Sequence, residues 1–235
     1  ANYYGKMALI DDAVGRVFEA VRRRGSWDDT LVVFTSDHGE MMGAHGRFSK
    51  GRFYEESARV PLVVRWPGHV SPESSSEALV QLFDVYPTLV ESAGGKISPG
   101  HFARSLLPIA LGEAGSVRDA VFSEIANPPH NNYMVRTERY VWWTHRGDEA
   151  LFDMRTDPHQ LNNLIDSPEH EEVLQSLRER HLEYFLNTQF NHAVKDVPKK
   201  VRMRELGEGE SGTMSDNLYE IFRRKQGLSN DEQTP

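Results

Sequence analysis

The chain opens on helical spacing. Met7, Ile10, Val14, Val17 or Phe18, and Val21 return at the repeat of one helix face. Arg22, Arg23 and Arg24 gather at the C-terminal end, and Gly25 supplies a stop. After the turn "SWDDT" the pattern changes. "LVVFT" (Leu31–Thr35) and "VPLVVRW" (Val60–Trp66) are short apolar runs, the pattern of strands buried on both faces in a parallel or mixed sheet. "SPESSSEA" reads as a loop. "QLFDVYPTLVESAG" reads as a short helix with Pro87 near its start, closed by Gly94 and Gly95. The order helix, strand, polar loop, strand, helix predicts an α/β domain over residues 1–112.

Beyond Gly112 the strands come closer together. "DAVFSEIA", "YMVRTERYVWWTH" and "EALFDM" predict a small antiparallel sheet, with "RGDE" as a turn and the last two runs as a hairpin. A Ser-Pro-Glu start then predicts a helix over about residues 168–186 that packs on this sheet. Val173, Leu174, Leu177, His181 and Phe185 share one face of it. This α+β unit covers residues 113–194. Residues 195–235 read as a polar arm with one short helix at "DNLYEIFRRK" (Asp216–Lys225).

Of the 235 residues 38% are hydrophobic, enough for a sizeable core, and the formal net charge is −8. That balance gives no electrostatic reason to expect a nucleic-acid partner. There is no cysteine, so disulfides, thiolate nucleophiles and Cys-based zinc sites are excluded for this chain. No apolar run approaches the length of a membrane helix, and "ANYYGKMALIDD" lacks the pattern of a signal peptide. The absence of an initial Met, together with immediate helical periodicity, suggests that further sequence belongs upstream.

The candidate chemistry lies where "LVVFT" runs into "SDHGEMMGAHGRFSKG". In open α/β sheets, ligands bind beyond the carboxyl ends of strands. Asp37 offers a hard oxygen and His38 a nitrogen, adjacent on a turn where the chain no longer alternates faces. Gly39 permits a tight turn. Lys50 follows a loop punctuated by Gly43 and Gly46 that can fold back on the pair. A divalent cation beside a Lys suits an anionic ester, because both stabilise oxygens that gain charge as a bond breaks. Asp-His-Gly alone is more often an ordinary turn, so the weight rests on the longer pattern.

That longer pattern, "FTSDHGEMMGAHGRFSKGRFYEESARVPLVVRWPG", resembles the C-terminal signature region of the sulfatase family within the alkaline phosphatase superfamily. The choline-sulfatase, iduronate-sulfatase and phosphonate monoester hydrolase branches are the most similar. "YYGKMALIDDAVGRVFEAV" resembles the helix before that region, and "QLFDVYPTLVESAG" the helix after it. "YMVRTERYVWWTHRGDEALFDMRTDPHQLNNL" resembles the C-terminal sheet. The resemblance spans about Tyr3 to Phe185. It implies the C-terminal part of an alkaline-phosphatase-like α/β sandwich followed by a small antiparallel sheet with a packed helix.

By the same resemblance Asp37 and His38 are metal ligands, for Ca²⁺ foremost and Mn²⁺ as the alternative. Lys50 holds the anion of the substrate. His45 either contacts substrate or orders the loop; it is kept with Lys50 as a catalytic candidate. Glu40 is expected to face solvent or cap the loop. Arg52, Tyr54 and Glu55 are expected to anchor it, and Arg59 to form an ion pair before the second strand. The implied activity is hydrolysis of a sulfate ester, on a small molecule or a saccharide. The alternatives are a phosphonate monoester or phosphodiester hydrolase on the same scaffold, and a non-catalytic binding paralogue.

The family's nucleophile is a formylglycine made within a Cys/Ser-x-Pro-x-Arg motif. Neither a Cys nor Ser-x-Pro-x-Arg occurs here. Asp11-Asp12 falls inside a helical pattern and reads as a solvated face. The nucleophile is therefore expected upstream, and this chain alone is expected to be inactive or nearly so. Its partners are expected to be the N-terminal half of the domain or further copies of itself. "NPPHNNYMVR" (Asn127–Arg136) is a candidate wall of the substrate pocket, with an ordinary polar loop as the alternative. The expected compartment is extracytoplasmic, such as the bacterial periplasm.

Overall fold

The first helix, α1 (Asn2–Arg23), ends where Gly25 adopts a φ of +72°. A computed structural model describes residues 2–97, 102–127 and 130–195, without the side chains of 126, 127, 130, 131 and 189–195. Trp27 starts a 3₁₀ turn and lies between the guanidinium groups of Arg22 and Arg65, 4.3 and 4.0 Å from its ring centre. Phe18 meets the same indole at 5.1 Å. Phe18, rather than Val17, is thus the inward residue; Val17 is 62% exposed.

The strands β1 (Val32–Thr35) and β2 (Leu62–Arg65) pair antiparallel, with Val32 opposite Arg65 and Thr35 opposite Leu62. The expected parallel or mixed sheet is not formed among the described residues, nor are the strands buried on both faces. Phe34 and Val63 stay exposed. The reason is geometric: β2 returns through the short helix α2 (Glu55–Ala58) directly beside β1, and among the described residues no third strand joins them. The apolar runs encode two-sided burial, but the face of Val32, Phe34 and Val63 meets Val14 and Phe18 of α1 only across an open cleft.

Helix α3 (Val85–Ser92) carries Pro87 in its first turn, where the missing N–H costs no hydrogen bond. Before it, Asp84 is fully buried. It accepts from Gln81 N and Arg104 N, each at 2.8 Å, and pairs with the Arg118 guanidinium. Helix α4 (Leu107–Ala110) follows.

The second sheet runs in the order β3 (Ala120–Asn127), β4 (His130–Thr137), β5 (Tyr140–His145), β6 (Asp148–Asp153), antiparallel throughout. The run "YMVRTERYVWWTH" is therefore two strands. Thr137 Oγ1 donates to Tyr140 O and accepts from Tyr140 N, closing a turn at Glu138-Arg139. The expected β5–β6 hairpin turns on Arg146 and Gly147, with φ of 56° and 93°, the backbone of a tight two-residue turn.

Alternation gives this sheet two apolar faces. Ala120, Val135, Trp142 and Leu151 pack against Leu174 and Leu177 of helix α5 (Glu171–Lys195). Met134, Val141, Trp143, Ala150 and Phe152 pack against Phe53. Each large buried apolar side chain contributes on the order of 1.5–3 kcal/mol, so Phe53 ties the polar loop firmly to the sheet. His181 stacks on Tyr133 at 3.7 Å.

The described residues fall into two compact units that divide within α5, after Tyr184. In the second unit Thr188 Oγ1 donates to the Phe185 carbonyl at 3.0 Å. The "DNLYEIFRRK" segment, Pro128 and Pro129 lie outside the described residues. Among those described, no helix is long and apolar enough to cross a membrane.

Candidate active site

Beyond Thr35 the chain turns through Ser36, Asp37 and His38. Ser36 Oγ donates to His38 O at 3.0 Å, and His38 N donates to Asp37 Oδ1 at 3.0 Å. His38 Nδ1 lies 2.8 Å from Gly39 O. A carbonyl only accepts, so Nδ1 carries the proton and Nε2 presents a lone pair. Asp37 Oδ2 is 3.3 Å from that Nε2, and Lys50 Nζ is 2.7 Å from it. The structure thus brings Asp37, His38 and Lys50 together.

The Asp37 side chain is 81% exposed and that of His38 37%. Desolvation, the largest single influence, acts to raise the Asp37 pKa. The hydrogen bonds from His38 N–H and Ser36 Oγ oppose it and hold the carboxyl below the ordinary range. An ionised carboxylate beside an imidazole lone pair is a donor set suited to a divalent cation. Calcium takes six to eight oxygen ligands, so these two residues fit one part of such a site. Among the described residues no group of three or more His, Cys, Asp or Glu could hold a metal ion.

The loop returns Lys50 by pinning its own middle. Met41 is 1% exposed, and its N–H donates to Ser49 O at 2.9 Å. Glu40 accepts from Ser49 N, which makes it the loop cap. Gly43 takes a φ of +97° and donates to Arg47 O at 2.7 Å. Gly39 serves close approach rather than a left-handed turn. Its N–H donates to Ser57 O at 2.9 Å, and a Cβ there would sit 1.9 Å from Glu56 O.

His45 is drawn elsewhere. It stacks on Tyr54 at 3.8 Å, 15° from coplanar, with Nε2 3.9 Å from Glu56 Oε2. Among the described residues no hydrogen bond, ion pair or ring contact joins it to Asp37, His38 or Lys50. With Tyr54, Trp143, Asp148 and Gln160 it lines an open cleft of about 570 Å³.

The loop anchors are partly those expected. Glu55 N donates to Gln160 Oε1 at 2.8 Å, and the Glu55 carboxylate lies 3.4 Å from Arg136 Nε. Arg59 reaches Glu55 at 3.8 Å but stays 75% exposed, and an exposed pair contributes little. Gln160 was not visible in the sequence as a site residue, because its partner lies 105 positions away. In the candidate wall, Arg136 turns inward to Glu55.

The N-sulphoglucosamine sulphohydrolase C-terminal family matches residues 43–186, which include His45 and Lys50 and begin just after Asp37 and His38. The arylsulfatase of Clostridium perfringens is 34% identical over 183 residues, covering 76% of this chain and 38% of that protein. The phosphonate monoester hydrolase of Agrobacterium radiobacter superposes with a TM-score of 0.70 at 32% identity, over 84% of this chain and 43% of that one. BT4656, solved with its substrate D-glucosamine-2-N,6-O-disulfate, also gives 0.70, at 27% identity over 81% and 40%. The chain thus spans about two fifths of the length of these relatives. It belongs to the sulfatase family of the alkaline phosphatase superfamily, and carries that family's C-terminal region.

Proposed function

We propose that this chain is the C-terminal portion of a metal-dependent sulfatase, and that Asp37, His38 and Lys50 are its share of the active site. The observation that carries the reading is the meeting of Asp37 Oδ2, His38 Nε2 and Lys50 Nζ within 3.3 Å of one another's shared nitrogen. Asp37 and His38 would hold the cation through Oδ2 and Nε2, with Ca²⁺ or Mn²⁺ as the candidates. When bound, the cation polarises an ester oxygen and offsets charge that grows on it.

Lys50 supplies three N–H donors on a flexible stem, suited to a tetrahedral anion as a compact charge. Gly39 O keeps the His38 proton on Nδ1, so Nε2 stays available as a ligand. The covalent step needs a nucleophile, and the cysteine-free sequence offers no thiol precursor of one. Residues upstream in the complete protein are assigned that part. A saccharide sulfate ester is the proposed substrate class, on the strength of the disulfated glucosamine in BT4656. A phosphonate monoester is the second reading, favoured by the equal superposition on the Agrobacterium radiobacter enzyme.

The test is turnover of an aryl sulfate beside an aryl phosphonate monoester by the complete protein, with and without Lys50→Ala. The expected result is preference for the sulfate and a loss on the order of a hundredfold in the variant, with thermal stability unchanged. Normal turnover in a folded Lys50→Ala protein removes Lys50 from the site. Preference for the phosphonate replaces the first reading by the second.

A further inference from the structure

The cleft that His45 lines has the makings of a second binding site. Its volume of about 570 Å³ lies in the range of small-ligand sites, roughly 300–1,000 Å³. One wall is aromatic. The His45 ring lies flat on Tyr54 at 3.8 Å, and Tyr54 meets Trp143 edge-on at 5.5 Å. Gln160 is 2% exposed and Trp143 8%, yet Gln160 Nε2 and Trp143 Nε1 have no hydrogen-bond partner among the described residues. Leaving a buried donor without an acceptor is costly, and here two such donors lie just beneath the surface of one cleft. The Gln160 side chain is held in place by Glu55 N–H, 2.8 Å from Oε1. His45 and Gln160 also take left-handed backbones, with φ of 52° and 53°, and such strain in non-glycine residues gathers at ligand sites. At the rim, Asp148 adds an exposed carboxylate.

We propose that this cleft binds the pyranose ring of a saccharide, as a subsite beside the anion site at Lys50. A sugar offers C–H faces to aromatic side chains and hydroxyls that both donate and accept. Its hydroxyls take the donors of Gln160 and Trp143 and donate to Asp148. Leu161, 77% exposed at the rim, is the side chain that yields to let a hydroxyl reach the two donors. The cleft adjoins the proposed active site through Glu56. Its Oε2 is 3.9 Å from His45 Nε2, and its backbone oxygen packs against Gly39, the residue after His38. Lys50 stands four residues before Tyr54, at most about 14 Å of extended chain, a distance that a short oligosaccharide spans. The inference rests on the saccharide sulfatase reading for its place in the reaction; the binding itself is tested without turnover.

The ¹⁵N-labelled 235-residue chain is titrated with the methyl glycosides of glucose, galactose and N-acetylglucosamine, and with sorbitol, which has hydroxyls but no ring. At least one glycoside is expected to shift the Trp143 indole N–H and the Gln160 side-chain amide together and saturably, while the Trp27 indole beside α1 stays in place. Sorbitol is expected to shift neither. No saturable shift at Trp143 with any glycoside overturns the inference, as does an equal response to sorbitol. Asp148→Ala, at an exposed position, is expected to weaken binding about tenfold, the scale of one hydrogen bond to a charged group. Unchanged affinity in that variant overturns the inference as well. Turnover of a sulfate ester by the complete protein, with Trp143 silent to every glycoside, overturns the subsite and leaves the sulfatase reading standing. Saturable shifts at Trp143 in a protein that turns over no sulfate ester keep the sugar site and remove that reading.

Discussion

Gly39→Ala probes how the fold positions the Asp37–His38 pair. Gly39 does not take a positive φ, so its backbone is open to any residue. The obstacle is space. An added Cβ would stand 1.9 Å from Glu56 O, 2.9 Å from Glu56 C and 3.3 Å from Ser57 Cα, all backbone atoms of α2. No rotamer change relieves that contact, so the turn and α2 must separate and the Gly39 N to Ser57 O bond must stretch. Overpacking costs about 1–3 kcal/mol and a lost hydrogen bond about 1 kcal/mol, so a loss of about 2–4 kcal/mol is expected. Gly43→Ala is the matched comparison. Its Cβ meets only Phe48 Cζ at 3.8 Å, and its cost is the left-handed φ of +97°, about 1–2 kcal/mol. Equilibrium urea unfolding followed by tryptophan fluorescence ranks the two. A Gly39→Ala midpoint equal to that of the parent chain, or a smaller loss than for Gly43→Ala, refutes the close-approach account.

Two further substitutions test the frame around the site. Asp84→Ala leaves Arg118, only 7% exposed, without its counter-charge, and breaking a buried pair typically costs about 3–5 kcal/mol; urea unfolding within 1 kcal/mol of the parent value would contradict that role. Asp153 is held below the ordinary carboxylate range, chiefly by the hydrogen bond from Arg139. Its folded pKa lies below its unfolded one, so the stabilisation is complete above about pH 4 and is lost as the pH falls through the folded value. Asp153→Asn should therefore be less stable than the parent at neutral pH, with the gap closing in acid; a gap independent of pH contradicts the pairing.

The second sheet was legible in the sequence because its signals are local. Short apolar and aromatic runs marked the strands, and the polar "RGDE" stretch marked the turn. The split at Glu138-Arg139 escaped because Thr137, which closes that turn, is itself a strand former. The direction of β1 relative to β2 was not legible, since apolar runs report burial and not the path of the connection. The meeting of Lys50 with His38 followed from the glycine-punctuated loop between them. The placement of His45 on Tyr54 did not, because stacking across nine positions depends on how Phe53 seats in the sheet. Arg136 of β4 and Gln160 of the loop after β6 come to Glu55, and spacing carries no trace of such distant partners.

The cation site at Asp37 and His38 is the claim on which the functional reading turns. Mn²⁺ added in substoichiometric steps to the ¹⁵N-labelled chain reports it directly, because the ion broadens amide resonances nearest to it. The account predicts that the Asp37, His38 and Gly39 amides broaden first, with Lys50 among the next, and that Asp37→Ala abolishes the effect. Broadening centred elsewhere, or undiminished in Asp37→Ala, would contradict it.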